Sequence, residues 1–148
     1  MFSYRDLLAS FTIVILVVPA GCGRQNDMNL HPVTGIVKLD GKPLPNAFIR
    51  FEPMSPELGS HSVAVTDKSG RFQMKYTRSL AGAVTGKHQV RISTGNQGAV
   101  NEAGDPFPIP ELLPAIYHSK STLEYDVEKK TNYVEFDLKS KVPEKAAR

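Results

Sequence analysis

His31, His61, His88 and His118 are the side chains best suited to metal ligation or general-base work in this chain. No two of them stand at the H-x-H or H-x-x-x-H spacing that sets a pair of imidazoles around one ion. Each is therefore expected as a partly exposed strand histidine. Ser60 and Ser62 flank His61 in "GSHS", but neighbours on an extended strand point to opposite faces. No Gly-x-Ser-x-Gly stretch is present to offer an activated hydroxyl. Asp67 and Ser69 in "DKSG" set two oxygens two residues apart, yet a calcium loop needs about six to eight oxygens and usually several carboxylates. A hairpin turn is expected there instead. No catalytic residue, metal ligand or cofactor is assigned, and the chain is expected not to be an enzyme. The remaining reactive group is the thiol of Cys22, the single cysteine of the 148 residues.

The surroundings of Cys22 suggest why it stands alone. Residues 7–21, "LLASFTIVILVVPAG", are apolar but fall short of the about 20 residues a membrane-spanning helix requires. They fit the hydrophobic region of a secretory signal, read as residues 1–21, with small residues before the cut. Ala20, Gly21 and Cys22 resemble the lipobox of bacterial lipoproteins, although Pro19 occupies the place where Leu or Val is usual. That resemblance implies cleavage before Cys22, a diacylglycerol on its thiol, and an extracytoplasmic protein held at a membrane. With one cysteine the fold cannot rest on an internal disulfide. The net charge of +3 is spread along the chain, and no basic stripe interleaved with aromatics marks a nucleic-acid partner.

Residues 22–30 lack periodicity and read as a tether. Seven short alternating segments then recur between turn signals, at 33–39, 47–53, 61–67, 71–77, 87–94, 122–128 and 132–138. Phe72, Met74 and Tyr76 share one face, as do Leu123, Tyr125 and Val127, and as do Val134, Phe136 and Leu138; Tyr133 is out of step. The pattern is that of an all-β sandwich over residues 31–140, followed by a fraying tail at 141–148.

Within it, "TGIVKLDGKPLPNAFIRFEP", "AVTDKSGRFQMKY" and "GKHQVRIS" resemble the carboxypeptidase regulatory-like, or transthyretin-like, domain. Gly35, Val37, Asp40, Gly41, Pro43, Leu44, Ala47, Thr66, Asp67, Gly70, Phe72, Gly86 and Val90 match the family pattern; Asn46, Thr85 and His88 depart from it. The resemblance implies a seven-stranded antiparallel, Greek-key sandwich (prealbumin-like) after an N-terminal signal helix. In physical terms, Gly41 and Gly70 supply positive φ to tight turns. Asp67 caps its own turn, and Phe72 and Phe48 are expected in the core. The hydroxyisourate hydrolases share the transthyretin-like fold, but the chain lacks their Tyr-Arg-Gly-Ser ending and ends "FDLKSKVPEKAAR", so that activity is not implied.

The connection over 96–120 is long for a compact domain. Pro106, Pro108, Pro110 and Pro114 stiffen it into extended, polyproline-like backbone, and its Gly-rich front half is expected to be mobile. Either its apolar residues cover an open end of the sandwich, or Phe107, Tyr117 and His118 form part of a ligand-binding surface. The function expected is that of a non-catalytic, lipid-anchored module mediating protein or envelope interactions, its partner an envelope protein or a glycan. A carbohydrate-binding module and a hydrolase with a site assembled from distant residues are the alternatives.

Overall fold

Every segment read as a strand forms one. The computed structural model describes residues 29–96 and 100–141. Residues 1–21, read as a signal, Cys22, most of the stretch 22–30 read as a tether, residues 97–99 and the residues beyond 141 lie outside the described residues. In chain order the strands are β1 (Leu30–His31), β2 (Val33–Leu39), β3 (Lys42–Pro43), β4 (Phe48–Pro53) and β5 (Ser62–Val65). They continue with β6 (Arg71–Gln73), β7 (Ala83–Val84), β8 (Gly86–Ser93), β9 (Leu123–Val127) and β10 (Asn132–Leu138). Two 3₁₀ turns, Pro56–Leu58 and Ala115–Tyr117, are the helical pieces among the described residues.

The strands make three sheets rather than the expected seven-stranded antiparallel sandwich. One four-stranded sheet runs β5-β4-β8-β9, a second carries β10 on one side of β2 with β3 and β6 on the other, and β1 pairs with β7. The expectation of antiparallel pairing throughout also fails, because β10 runs parallel to β2 from Asn132↔Val33 to Leu138↔Leu39. The reason is a short crossover. The turn after β9 delivers the chain to the second sheet at the end where β2 itself starts, so both strands leave in one direction. Asn132 clasps that turn: its side-chain oxygen accepts from Glu128 N (3.0 Å), while its side-chain nitrogen donates to the carbonyls of Glu128 (3.0 Å) and Lys130 (2.6 Å). It is buried, where unmet polar groups cost about 1–3 kcal/mol each.

The two four-stranded sheets close on one core. Ile49, Phe51, Val90, Ile92 and Val127 face Val33, Val37, Phe72, Phe136 and Leu138. The Phe51 ring lies 5.8 Å from His88 and Tyr125 and 6.4 Å, edge-on, from Phe136, within the range of favourable aromatic pairs. With Ile49 and Phe51 inside, a period of two turns Phe48 outward, and it is exposed rather than in the core as expected. His88 departs in the opposite sense. It is wholly buried, not partly exposed, with Nδ1 2.8 Å from the Gly86 carbonyl and Nε2 lacking a hydrogen-bond partner.

The sandwich has two distinct ends. Its proximal end, where the described chain begins at Asn29, gathers β1, β7, the 54–61 loop and the turn before Asn132. Thr85 N donates to Asn29 O (2.9 Å), Met54 N to Lys87 O (2.9 Å), and the Tyr76 hydroxyl accepts from Ser60 N (3.1 Å). The distal end gathers the turns at 40–46 and 67–70 and the long connection after β8.

Candidate functional site

The distal turns behave as their residue types dictate. Gly41 (φ 80°) and Gly70 (φ 72°) take the positive φ that their turns require, and Asp40 (φ 50°) shares that region. Asp67 Oδ1 accepts from Ser69 N (2.8 Å) and Arg71 N (2.9 Å), so this oxygen is spent on the turn. Asp40 Oδ1 accepts from Ser140 N (3.2 Å), and hydrogen bonds from the Ser140 side chain first and its backbone second hold the carboxyl below the ordinary carboxylate range. A side chain at Gly70 would press on Val37 O at 2.5 Å, and Val37 N donates to Gly70 O (2.8 Å), which joins this turn to β2. Beside it, buried Thr66 donates its hydroxyl to Leu44 O (2.7 Å) and accepts from Ala47 N (2.8 Å). These residues are architectural.

The long connection divides into a lid and a ridge. Leu113 and Tyr117 sink into the core, and the Tyr117 hydroxyl accepts from Lys139 N (3.0 Å). His118 is half-buried, its Nε2 3.1 Å from Leu113 O and its carbonyl accepting from Arg91 (2.8 Å). The lid therefore comprises 113–118, and two of the three residues grouped as a binding surface lie in it. Phe107 stands apart, 63% exposed. The ridge, described over 94–96 and 100–112, is not one extended run: it folds back on itself through paired bonds between Asn96 and Ile109 (2.9 Å each) and a second bridge, Val100↔Pro106. The side chain of Asn101 closes its tip by accepting from Ala103 N (3.0 Å) and Asp105 N (2.9 Å).

One carboxylate fastens the ridge to the sandwich. Glu111 accepts from Thr94 N (3.0 Å), the Thr94 hydroxyl (2.7 Å), Gly95 N (3.1 Å) and Leu113 N (2.9 Å). Burial pushes its carboxyl up, but the donors at Leu113, Thr94 and Gly95 outweigh it, and the group sits below its ordinary range. No local sequence pattern announces this staple, because three of its four donors, on Thr94 and Gly95, lie 16–17 residues away. Held in this way, the ridge presents Val100, Phe107, Ile109 and Leu112 to solvent.

A shallow groove continues the apolar surface onto the sheet. Phe48 and Val65, both exposed, line a depression of about 370 Å³ with Ile109 and Thr94. The same two side chains line a neighbouring opening of about 580 Å³ with Val63, Arg71 and Gln73. This opening exists because the β5–β6 hairpin is bonded at Val63–Lys75 and at Asp67–Arg71, while the strands part between those points to join different sheets. The expectation of Phe48 in the core hides this groove from the sequence, although strict alternation about Ile49 and Phe51 indicates its outward side. Among the described residues no three His, Cys, Asp or Glu side chains are grouped to hold a metal ion.

No protein-family model matches the chain, and no curated protein matches it. It is similar in structure to a DUF3823 family protein from Parabacteroides merdae, at 12% identity and a TM-score of 0.42, over 76% of this chain and 47% of that one. It is also similar to a 9R-lipoxygenase from Cyanothece PCC8801, at 15% identity and a TM-score of 0.40, over 75% of this chain and 16% of that one. The chain thus spans less than half the length of either neighbour. No activity passes to this chain from likenesses of this degree.

Proposed function

We propose that this is a lipid-anchored, extracytoplasmic β-sandwich module of the carboxypeptidase regulatory-like kind, which performs no catalysis and binds a protein of the cell envelope through its distal ridge. The observation that carries the reading is the exposure of Phe107 and Leu112 (63% and 64%) on a backbone fastened by Glu111. Large apolar side chains on an ordered surface favour a partner that removes them from water, at about 25 cal/mol per Å². The groove beside Phe48 and Val65 extends the same surface and suits a partner's protruding apolar side chain. A sugar-binding role draws less support, because Tyr117 is buried and leaves Phe107 without an aromatic companion on the ridge.

The test is a crosslinking pull-down from the native envelope, comparing the unaltered protein with Phe107→Ser/Leu112→Ser and with Tyr133→Ser. Tyr133 is an equally exposed aromatic on β10 and serves as the control. Capture of a protein that is lost only with the ridge variant supports the proposal. Capture that is equal in all three, or absent from all three, contradicts it.

A further inference from the structure

The proximal end carries a second exposed apolar surface, of a different character. Met54 and Leu58 are 51% and 42% exposed on the 54–61 loop. That loop is fixed rather than loose: Met54 N bonds to Lys87 O (2.9 Å), and the Leu58 side chain lies over Gly86, where an added Cβ would meet it at 3.0 Å. The same end carries exposed cations, Arg78 on the 76–80 turn, Lys87 at the start of β8 and Lys129 after β9. Lys130 is there too but is paired with Glu128 (2.8 Å); among the described residues Glu57 and Asp126 are the other acids of this end, Asp126 standing opposite Lys87 in the β8–β9 register. The ridge at the opposite end contrasts with it, holding Glu102, Asp105 and Glu111 and no Lys or Arg between 95 and 112.

The described chain begins at this cationic end. Seven residue steps separate Cys22 from Asn29, a reach of at most about 25 Å when fully extended. We infer that the proximal end is a membrane-docking surface: Met54 and Leu58 enter the headgroup layer of an anionic phospholipid bilayer while Arg78, Lys87 and Lys129 meet its phosphates. This rests on the lipid-anchor reading, which holds the domain within that reach. Acyl chains alone hold the domain at the membrane without orienting it. Docking of this face fixes the orientation and turns the acidic ridge away from the negative surface. The cations act only within the screening length of about 10 Å at ordinary salt, so docking and tethering respond differently to ionic strength.

The experiment uses the full, processed chain in phosphatidylcholine vesicles with or without phosphatidylglycerol. A fluorophore is placed on Leu58→Cys or on Phe107→Cys, and a quencher is attached to the lipid headgroups. Vesicle flotation reports the anchor, and quenching reports docking. The expected result is strong quenching at 58 and little at 107, dependent on phosphatidylglycerol and relieved by salt while flotation persists. Each cation removed from an anionic surface weakens binding roughly fivefold, so Arg78→Gln/Lys87→Gln/Lys129→Gln lowers docking on the order of a hundredfold without ending flotation. Equal quenching at both sites, or none at 58, in a protein that floats overturns the docking surface and leaves the anchor standing. A chain that does not float removes the anchor, and the docking proposal with it.

Discussion

The two ends of the sandwich are built on different principles. At the proximal end order comes from backbone ladders and close main-chain approaches together with one buried side chain: β1 on β7, glycines where chains pass too closely for a side chain, and Asn132 clasping the β9–β10 crossover. At the distal end the ridge hangs on one carboxylate and two short bridges. The difference teaches where change is tolerated. Damage to the proximal end propagates through ladder contacts into both sheets, whereas damage to the ridge stays local, in the manner of a low-stability segment suited to binding.

Gly82→Ala should have the largest effect. Gly82 is buried at φ 108° and faces the His31 carbonyl, so a methyl group meets both backbone strain and collision. A loss of about 3 kcal/mol is expected, the combined scale of strained φ and overpacking, read as a fall in Tm of roughly 10 °C or more. A neutral Gly82→Ala would show that the proximal frame is looser than its ladders imply. Glu111→Ala should come next, with amide exchange accelerating at Thr94, Gly95 and Leu113 through a local loss of protection of about 1–2 kcal/mol. Exchange that quickens equally in β2 and β10 would abolish the distinction between the ends.

Acid should sharpen the same comparison. Burial pushes the His88 imidazole below its ordinary 6.5, with the Gly86 carbonyl and Asp126 pulling the other way. The unfolded chain takes up that proton first, so the contribution of a neutral His88 is complete above about pH 6.5 and is lost as the pH falls through the folded value. Glu111 is lowered from 4.5, so its contribution is present above that pH and disappears further down. Melting temperature should therefore begin to drop below about pH 6.5 while the Thr94 and Gly95 amides stay protected until about pH 4.5. His88→Gln should remove the upper step. Its persistence in that variant would mean another group is responsible.

The smallest effect on stability is expected from Phe107→Ser/Leu112→Ser, within about 0.5 kcal/mol, as for exposed positions generally. A larger fall in Tm would show that the ridge residues serve the fold rather than a partner.

Much of this architecture could be read from the chain. Alternation located all seven principal strands, and the chemistry of Asp67 and Gly70 located their turn. Strands β1, β3 and β7 escaped because two residues cannot display a period. The parallel course of β10 escaped because it depends on which sheet the chain crosses to, and Glu111 and Asn132 act on partners remote in sequence or on bare carbonyls. His88 sits on the inward face of β8 with Val90 and Ile92, so its burial follows from the register that placed them inside. The candidate surface was half legible. Phe107 was singled out and is exposed, while Tyr117 and His118 belong to the lid because the connection changes direction at Glu111.

The most direct measurement places a photoreactive amino acid at position 58 or at position 107 of the full chain in its native envelope and identifies what each captures. The expected result is phospholipid from 58 and a single protein from 107, with Leu112→Ser reducing only the second. Phospholipid from 107, or the same protein from both positions, would contradict a molecule that docks by one end and binds by the other.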